Sequence, residues 1–297
     1  MTFASARPRR SCLYVPGDKP RVLEKARSLP ADTILFDLED AVAPDAKAAA
    51  RAGVAEALQG GGYAPRETIV RINGLDTEWG LDDLKAAVGA RPDGILAPKV
   101  VGGADIDRLD DAMTRTGAPD TLSLWVMIEM PKAILNIEDI AEAVGRTRLA
   151  GFVMGTNDLA KELRAVPTAD RAAFQTAFAL TLAAARAYDL LAIDGVFNDI
   201  SNPDGLRAEC EQGQILGFDG KTLIHPSQID TANTVFSPAP GDVDQAKAVI
   251  AAFADPANAG KGVIKVNGKM TELLHLEEAR RIVAVSKAIA ALAAPTS

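Results

Sequence analysis

Residues 151–163 read GFVMGTNDLAKEL. An apolar run, Phe152 to Met154, breaks on Gly155 and ends in the polar group Thr156, Asn157 and Asp158. Such a run suits a strand covered on both faces, and the helical pattern resuming at Leu159 makes the unit a strand, a tight loop and a helix. A buried strand thus delivers a carboxylate to a polar face. Asp158 is either a ligand there or the N-cap of the following helix, and the rest of the chain has to decide between the two.

The same unit recurs in both directions along the chain. Strand-like runs occupy Ser11–Val15, Thr33–Leu38, Thr68–Arg71, Gly94–Val100, Ser123–Met130, Leu149–Met154, Leu191–Val196 and Phe218–Ile224, with helical patterns between them. Eight strand–helix pairs at intervals of roughly 25 to 40 residues predict a (β/α)8 TIM barrel. An open doubly wound sheet is the runner-up, but no GxGxxG follows the first strand; the turn there is PGD, Pro16 to Asp18. The barrel is assigned to residues 1–236. After the break SPAPGD, residues 237–297 form a C-terminal helical extension with a helix at Val243–Phe253, a hairpin turned by Asn267-Gly268 and a long helix from Leu273 to about Leu292. Its position invites use as a lid and subunit contact; packing on its own barrel is the alternative.

The 297 residues carry a formal net charge of −8, which argues against nucleic acid as a partner, since phosphate binding needs a basic face. No apolar run of about 18 residues is present to span a membrane, and Arg7, Arg9 and Arg10 lack the apolar segment of a signal peptide, so a cytoplasmic location is expected. Cys12 and Cys210 stand far apart and neither belongs to a CxxC. With His225 and His275 the sole histidines, a bound metal is expected to take oxygen ligands, which favours Mg²⁺ or Mn²⁺ over Zn²⁺.

In a barrel, residues that end the strands share one mouth. These are Asp37, Glu39 and Asp40; Arg71 and Asn73; Lys99; Glu129; Asn157 and Asp158; Asp194 and Asn198; and His225. Packing does not favour that concentration of charge unless it is paired or holds a cation. Glu129 and Asp158 end adjacent strands, so both carboxylates can meet one Mg²⁺ and leave positions for water and substrate oxygens. Arg71 suits an anionic substrate; an internal salt bridge to the acids of the second strand is the other reading. Lys99 is an ion-pair donor or, as a rival, a Schiff-base nucleophile. His225 is an acid/base group or a loop-orienting residue. Lys19 and Arg21, at the start of the first helix, are candidates for receiving phosphates, with a solvated helix end as the alternative. Trp79 and Trp125 are expected to pack.

The motifs SCLYVPGDKPRVLEKA, ILFDLEDAVAPDAK, VRINGLDT, APKV, MIEM, GTNDLAKEL, DGVFNDI and GFDGKTLIHPSQI occur in that order. Together they resemble the citrate lyase β-subunit-like CoA-ester lyases of the HpcH/HpaI aldolase superfamily, from about residue 10 to the C-terminal helix. The resemblance implies a Mg²⁺-dependent barrel enzyme that cleaves or forms a 3-hydroxyacyl-CoA such as malyl-CoA, β-methylmalyl-CoA or citramalyl-CoA, with acetyl-CoA or propionyl-CoA and a 2-keto acid as the other partners. It implies metal ligation by Glu129 and Asp158, contact of Arg71 with the substrate carbonyl and enolate, ordering of metal-bound water by Glu39 and Asp40, and CoA phosphates near Lys19 and Arg21. Lys99 and Asn157 complete the expected substrate-binding set. Where malyl-CoA lyase-type members place an Asp supplied by a neighbouring subunit as acid/base group, this chain has GKMTE and hence Glu272. A homo-oligomer, trimer or hexamer, is expected. The rivals are a malyl-CoA thioesterase, a Lys99 aldolase, and a citrate lyase β-subunit acting on a citryl thioester within a complex.

Overall fold

The computed structural model describes residues 7–293. Residues 1–6 and 294–297, at the outer ends of the two expected spans, lie outside the described residues. Eight strands alternate with helices: β1 (Ser11–Pro16), α1 (Pro20–Ala26), β2 (Thr33–Asp37), α2 (Lys47–Gln59), β3 (Glu67–Arg71), α3 (Gly80–Ala90), β4 (Gly94–Ala97), α4 (Gly103–Arg115) and β5 (Ser123–Ile128). Then come α5 (Pro131–Leu135), α6 (Ile137–Glu142), β6 (Leu149–Met154), α7 (Thr156–Leu163), α8 (Gln175–Ala187), β7 (Leu191–Asp194), α9 (Pro203–Leu216), β8 (Gly220–Leu223) and α10 (Ile229–Val235). All eight strands are parallel and pair in sequence order, and β1 also pairs with β8, Cys12 opposite Thr222. That closure makes the sheet a barrel and removes both edges that an open doubly wound sheet would leave.

The barrel interior is filled by Cys12, Leu35, Ile69, Leu96, Trp125, Met127, Val153 and Ile193, contributed by seven strands. Trp125 is the largest of these fully buried side chains, and two glycines make room for it. A Cβ on Gly151 would lie 2.6 Å from its ring and one on Gly94 3.2 Å from it. The register between β5 and β6 shifts at Leu124/Trp125, where the sheet yields to this side chain. Trp125 therefore packs, as its sequence context suggested.

Contacts divide the chain into two compact units, one spanning Arg9–Thr234 and the other joining the described residues before Arg9 to those from Val235 onward. In the second, α11 (Pro240–Ala254) and α12 (Leu273–Ala293) enclose Ala246, Val249, Ile264, Val266, Leu276 and Ala279 together with a hairpin of β9 (Val263–Val266) and β10 (Lys269–Glu272). Asn267 and Gly268 both take positive φ, 48° and 82°, the backbone that a two-residue hairpin turn needs. The alternation of exposed and buried residues in β9 fits a strand with one face on this small core. Among the described residues no helix is long and apolar enough to cross a membrane.

Candidate active site

The loop between β6 and α7 is a single residue. Gly155 is the N-cap of α7, with no side-chain cap, and Thr156 already lies in the helix. This corrects the reading of Asp158 as an N-cap: it stands in the first turn, where a carboxylate is favoured by the helix dipole and its side chain remains available. Gly155 has a steric reason to be glycine. A Cβ there would lie 2.5 Å from both Cβ and Oε2 of Glu129, so the end of β5 and the start of α7 approach as closely as backbone allows.

Glu129, Asp158, Asn157, Arg71, Asp37 and Asp40 all line one cavity of about 320 Å³ at the C-terminal ends of the strands, with Tyr14, Met127, Met154, Val196 and Ile224 among its apolar walls. Glu129 is buried, at 1% exposure, and its Oε1 accepts a 2.8 Å hydrogen bond from the backbone N–H of Lys99. Lys99 takes φ +57° to present that N–H. Burial, and then the charges of Glu39 and Asp158, push the Glu129 carboxyl up to about 8. The Glu39 carboxyl is also raised, first by burial, against the pull of Arg71 and Lys99.

Arg71 is 7% exposed and grips Asp37 through two bonds, Nε to Oδ1 at 2.7 Å and Nη2 to Oδ2 at 2.6 Å. Its Nη1 stands 2.9 Å from Glu39 Oε2 as an ion pair and donates to Asp40 Oδ2 at 3.2 Å. The guanidinium sits in the internal salt bridge that was the second reading of this residue, and it also lines the cavity. Asp37 in turn accepts the backbone N–H groups of Glu39 and Ala41, which shapes the turn that carries Glu39 and Asp40.

Lys99 is not a cavity-lining residue. Its ammonium holds Glu39 Oε1 at 2.8 Å and lies 3.7 Å from Asp158 Oδ2. Partial burial works against that cation, but the hydrogen bond and charge of Glu39 outweigh it and hold its pKa above the ordinary lysine range. A Schiff-base nucleophile needs the opposite shift, so Lys99 belongs to the ion-pair network. Asn157 accepts a 2.7 Å bond from Asn198 Nδ2 across the mouth.

Other expected residues fall elsewhere. Lys19 and Arg21 do not line the cavity; Lys19 is paired to Asp18 at 2.7 Å, and Arg21 is exposed on α1. Asp194 does not reach the mouth: with Ile193 pointing into the barrel, it points outward and is buried against Arg171, 2.7 Å, and Lys221, 3.1 Å. Asn73 is tied to Leu38 O and Asp83. His225 orients its loop, Nδ1 accepting from the Ser227 N–H. Glu272 is an exposed residue of β10 in the second unit, and its backbone N–H donates to His275 Nδ1. Tyr14 and the apolar wall were not singled out in the sequence; period-two alternation in SCLYVP, with Cys12 in the core, places Tyr14 on the interior face.

The sequence profile of the family HpcH/HpaI aldolase/citrate lyase matches residues 10–226. This chain belongs to that family. A (3S)-malyl-CoA thioesterase of Cereibacter sphaeroides is 50% identical over 289 residues, covering 97% of this chain and 98% of the relative. Citrate lyase subunit beta of Escherichia coli is 36% identical over 281 residues, 93% and 92% of the two chains. Among solved structures, the CitE protein of Mycobacterium tuberculosis in complex with magnesium, acetoacetate and coenzyme A superimposes with a TM-score of 0.75 at 28% identity, covering 95% of this chain and 99% of that one. Relatives of this chain thus include citrate lyase β-subunits and a malyl-CoA thioesterase, and the CitE structure shares its fold.

The residues of this family member fit a magnesium ion. No three His, Cys, Asp or Glu side chains among the described residues form a closed cage. The mouth instead offers two hard carboxylates, Glu129 and Asp158, and Mg²⁺ characteristically takes one or two protein carboxylates and completes its shell with water and substrate oxygens. Burial first, and then the charges of Glu39 and Asp158, raise the Glu129 carboxyl, and a cation bound there would relieve that cost.

Proposed function

We propose that the chain is a Mg²⁺-dependent lyase that cleaves, or forms, a 3-hydroxyacyl-CoA of the malyl-CoA, β-methylmalyl-CoA or citramalyl-CoA type, giving acetyl-CoA or propionyl-CoA and a 2-keto acid. The observation that carries this reading is the meeting of Arg71, Glu129 and Asp158 in one cavity. Bound by Glu129 and Asp158, Mg²⁺ would supply Lewis-acid polarisation of the substrate's carboxylate and hydroxyl oxygens. Arg71 faces the thioester carbonyl. When the hydroxyl proton leaves and the carbon–carbon bond breaks, the bonding pair moves onto that carbonyl as an enolate, and a preorganised donor such as Arg71 Nη1 stabilises it by on the order of 3 kcal/mol. Glu272, supplied by the C-terminal extension of a neighbouring copy, takes that hydroxyl proton and returns it to the enolate carbon, so the proton count closes. In this reading residues 237–297 act as lid and subunit contact, the enzyme works in the cytoplasm as a trimer or hexamer, Mn²⁺ substitutes for Mg²⁺, and Lys19 and Arg21 approach the CoA phosphates.

Hydrolysis of the thioester is the second reading, favoured by the 50% identity to a malyl-CoA thioesterase. Arg71 serves both reactions, because negative charge develops on the same carbonyl oxygen whether an enolate or a tetrahedral adduct forms. What separates them is whether the base acts on the substrate hydroxyl or on water. Malyl-, methylmalyl- and citramalyl-CoA incubated with the chain and Mg²⁺ test the proposal: keto acid appears with the lyase, and free thiol with the hydrolase. A citrate lyase β-subunit role would show as activity on a citryl thioester only alongside partner subunits.

A further inference from the structure

Arg71 is held by Asp37 along one edge and by Glu39 and Asp40 at Nη1, and partners of this kind leave the guanidinium some freedom to tilt about them. Arg71 Cζ lies over the ring of Tyr14, on β1, 4.8 Å from its centroid. Both residues line the cavity, and Met127 Sδ lies 3.6 Å from Nη1. The ring, the Asp37 carboxylate along one edge and the Glu39 and Asp40 oxygens at Nη1 together fix where Nη1 points. We infer that Tyr14 is a positioning residue, and that its ring, rather than its hydroxyl, holds the plane of Arg71 so that Nη1 is aimed at the substrate carbonyl.

This rests on the proposed role of Arg71, and the ring is suited to it. An aromatic face attracts a guanidinium and stays rigid, whereas an aliphatic side chain of similar volume fills the space without the attraction. The hydroxyl makes no hydrogen bond among the described residues, so phenylalanine keeps the contact and leucine loses it.

The test compares Tyr14→Phe with Tyr14→Leu in the full chain, by turnover and by exchange of the Arg71 Nε–H, assigned in a ¹⁵N-arginine spectrum by its loss in Arg71→Lys. Expected for Leu are a fall in kcat of about tenfold with KM changed less than twofold, and Nε–H exchange about tenfold faster, with Phe near wild type in both. Leu indistinguishable from wild type in exchange, or Phe as impaired as Leu, overturns the inference. If the wild-type chain turns over none of the three CoA esters, the functional reading fails, while the exchange measurement, which needs no substrate, still decides the role of Tyr14.

Discussion

Asp37 and Arg71 end neighbouring strands, pair in register, and meet through two parallel hydrogen bonds of 2.7 and 2.6 Å beneath the mouth of the barrel. The pair is nearly dry, with Asp37 at 1% and Arg71 at 7% exposure. Its partners differ in kind: Asp37 is spent on Arg71 and on shaping its own turn, whereas Arg71 also donates from Nη1 to Asp40, another residue of the cavity wall. Removing the carboxylate leaves the Nε and Nη2 edge of a buried cation unpaired, with Glu39 and Asp40 remaining at Nη1 alone. Asp37→Ala is expected to lose about 3–5 kcal/mol in urea unfolding, whereas an exposed ion pair would cost less than about 1 kcal/mol.

The raised Glu129 carboxyl has a defined pH signature. Its folded pKa, about 8, lies above the ordinary 4.5, so the folded metal-free protein binds this proton more tightly than the unfolded chain does. Its contribution to stability is therefore complete below pH 4.5 and is lost as pH rises toward 8. In chelator, Glu129→Gln should gain stability relative to wild type as pH rises through that window, read from paired thermal melts. Mg²⁺ affinity of the wild type should rise by up to about tenfold per pH unit below 8, because the proton and the metal compete for one carboxylate. Calorimetric affinities that do not change with pH would contradict the assignment.

Gly155→Ala tests how closely β5 and α7 must approach. The added methyl meets Glu129 at 2.5 Å and Met127 Cε at 3.1 Å. Glu129 has to turn away from Asp158, so Mg²⁺ binding should weaken by at least about tenfold in calorimetry, with about 1–3 kcal/mol lost in stability from overpacking. Unaltered Mg²⁺ affinity would place the ion elsewhere.

A second charged cluster is structural. Lys221, with no exposed surface, donates to Asp194, to Glu209 Oε1 at 2.6 Å and to Gly195 O at 2.7 Å, while Arg171 completes the balance of charges. Lys221→Met should destabilise the chain by about 3–5 kcal/mol, because the remaining acids keep one cation instead of two. At a temperature where the variant is folded, its KM should match wild type; a changed KM would draw this cluster into the site.

The contrast between these two clusters shows where sequence reading reaches and where it stops. The barrel was legible because strand-length apolar runs alternate with helical spacing eight times, and because burial on both faces leaves polar residues only at strand ends. Arg71, Glu129 and Asp158 followed from that rule and do share one cavity. Asp194 obeyed the same rule and was misplaced: one residue of register on β7 turns its side chain to the outer face, and the partners that neutralise it, Arg171 and Lys221, are 23 and 27 residues away in sequence. Asp158 was legible as an acid at the right height, yet its place in the first turn of α7 depended on Gly155 doing the work of an entire loop. Tyr14 was hidden inside an apolar strand, since stacking on Arg71 is a tertiary contact with no local signature.

The central claim is that the Arg71–Glu129–Asp158 mouth breaks a carbon–carbon bond in a CoA thioester with Mg²⁺. The most direct measurement follows keto acid and free thiol together when the purified chain meets malyl-CoA, with Mg²⁺ or with chelator. Acetyl-CoA and glyoxylate in equal amounts, abolished by chelator and by Glu129→Gln, are the predicted result. Malate and free CoA without glyoxylate, or glyoxylate formation that persists in chelator, would contradict it.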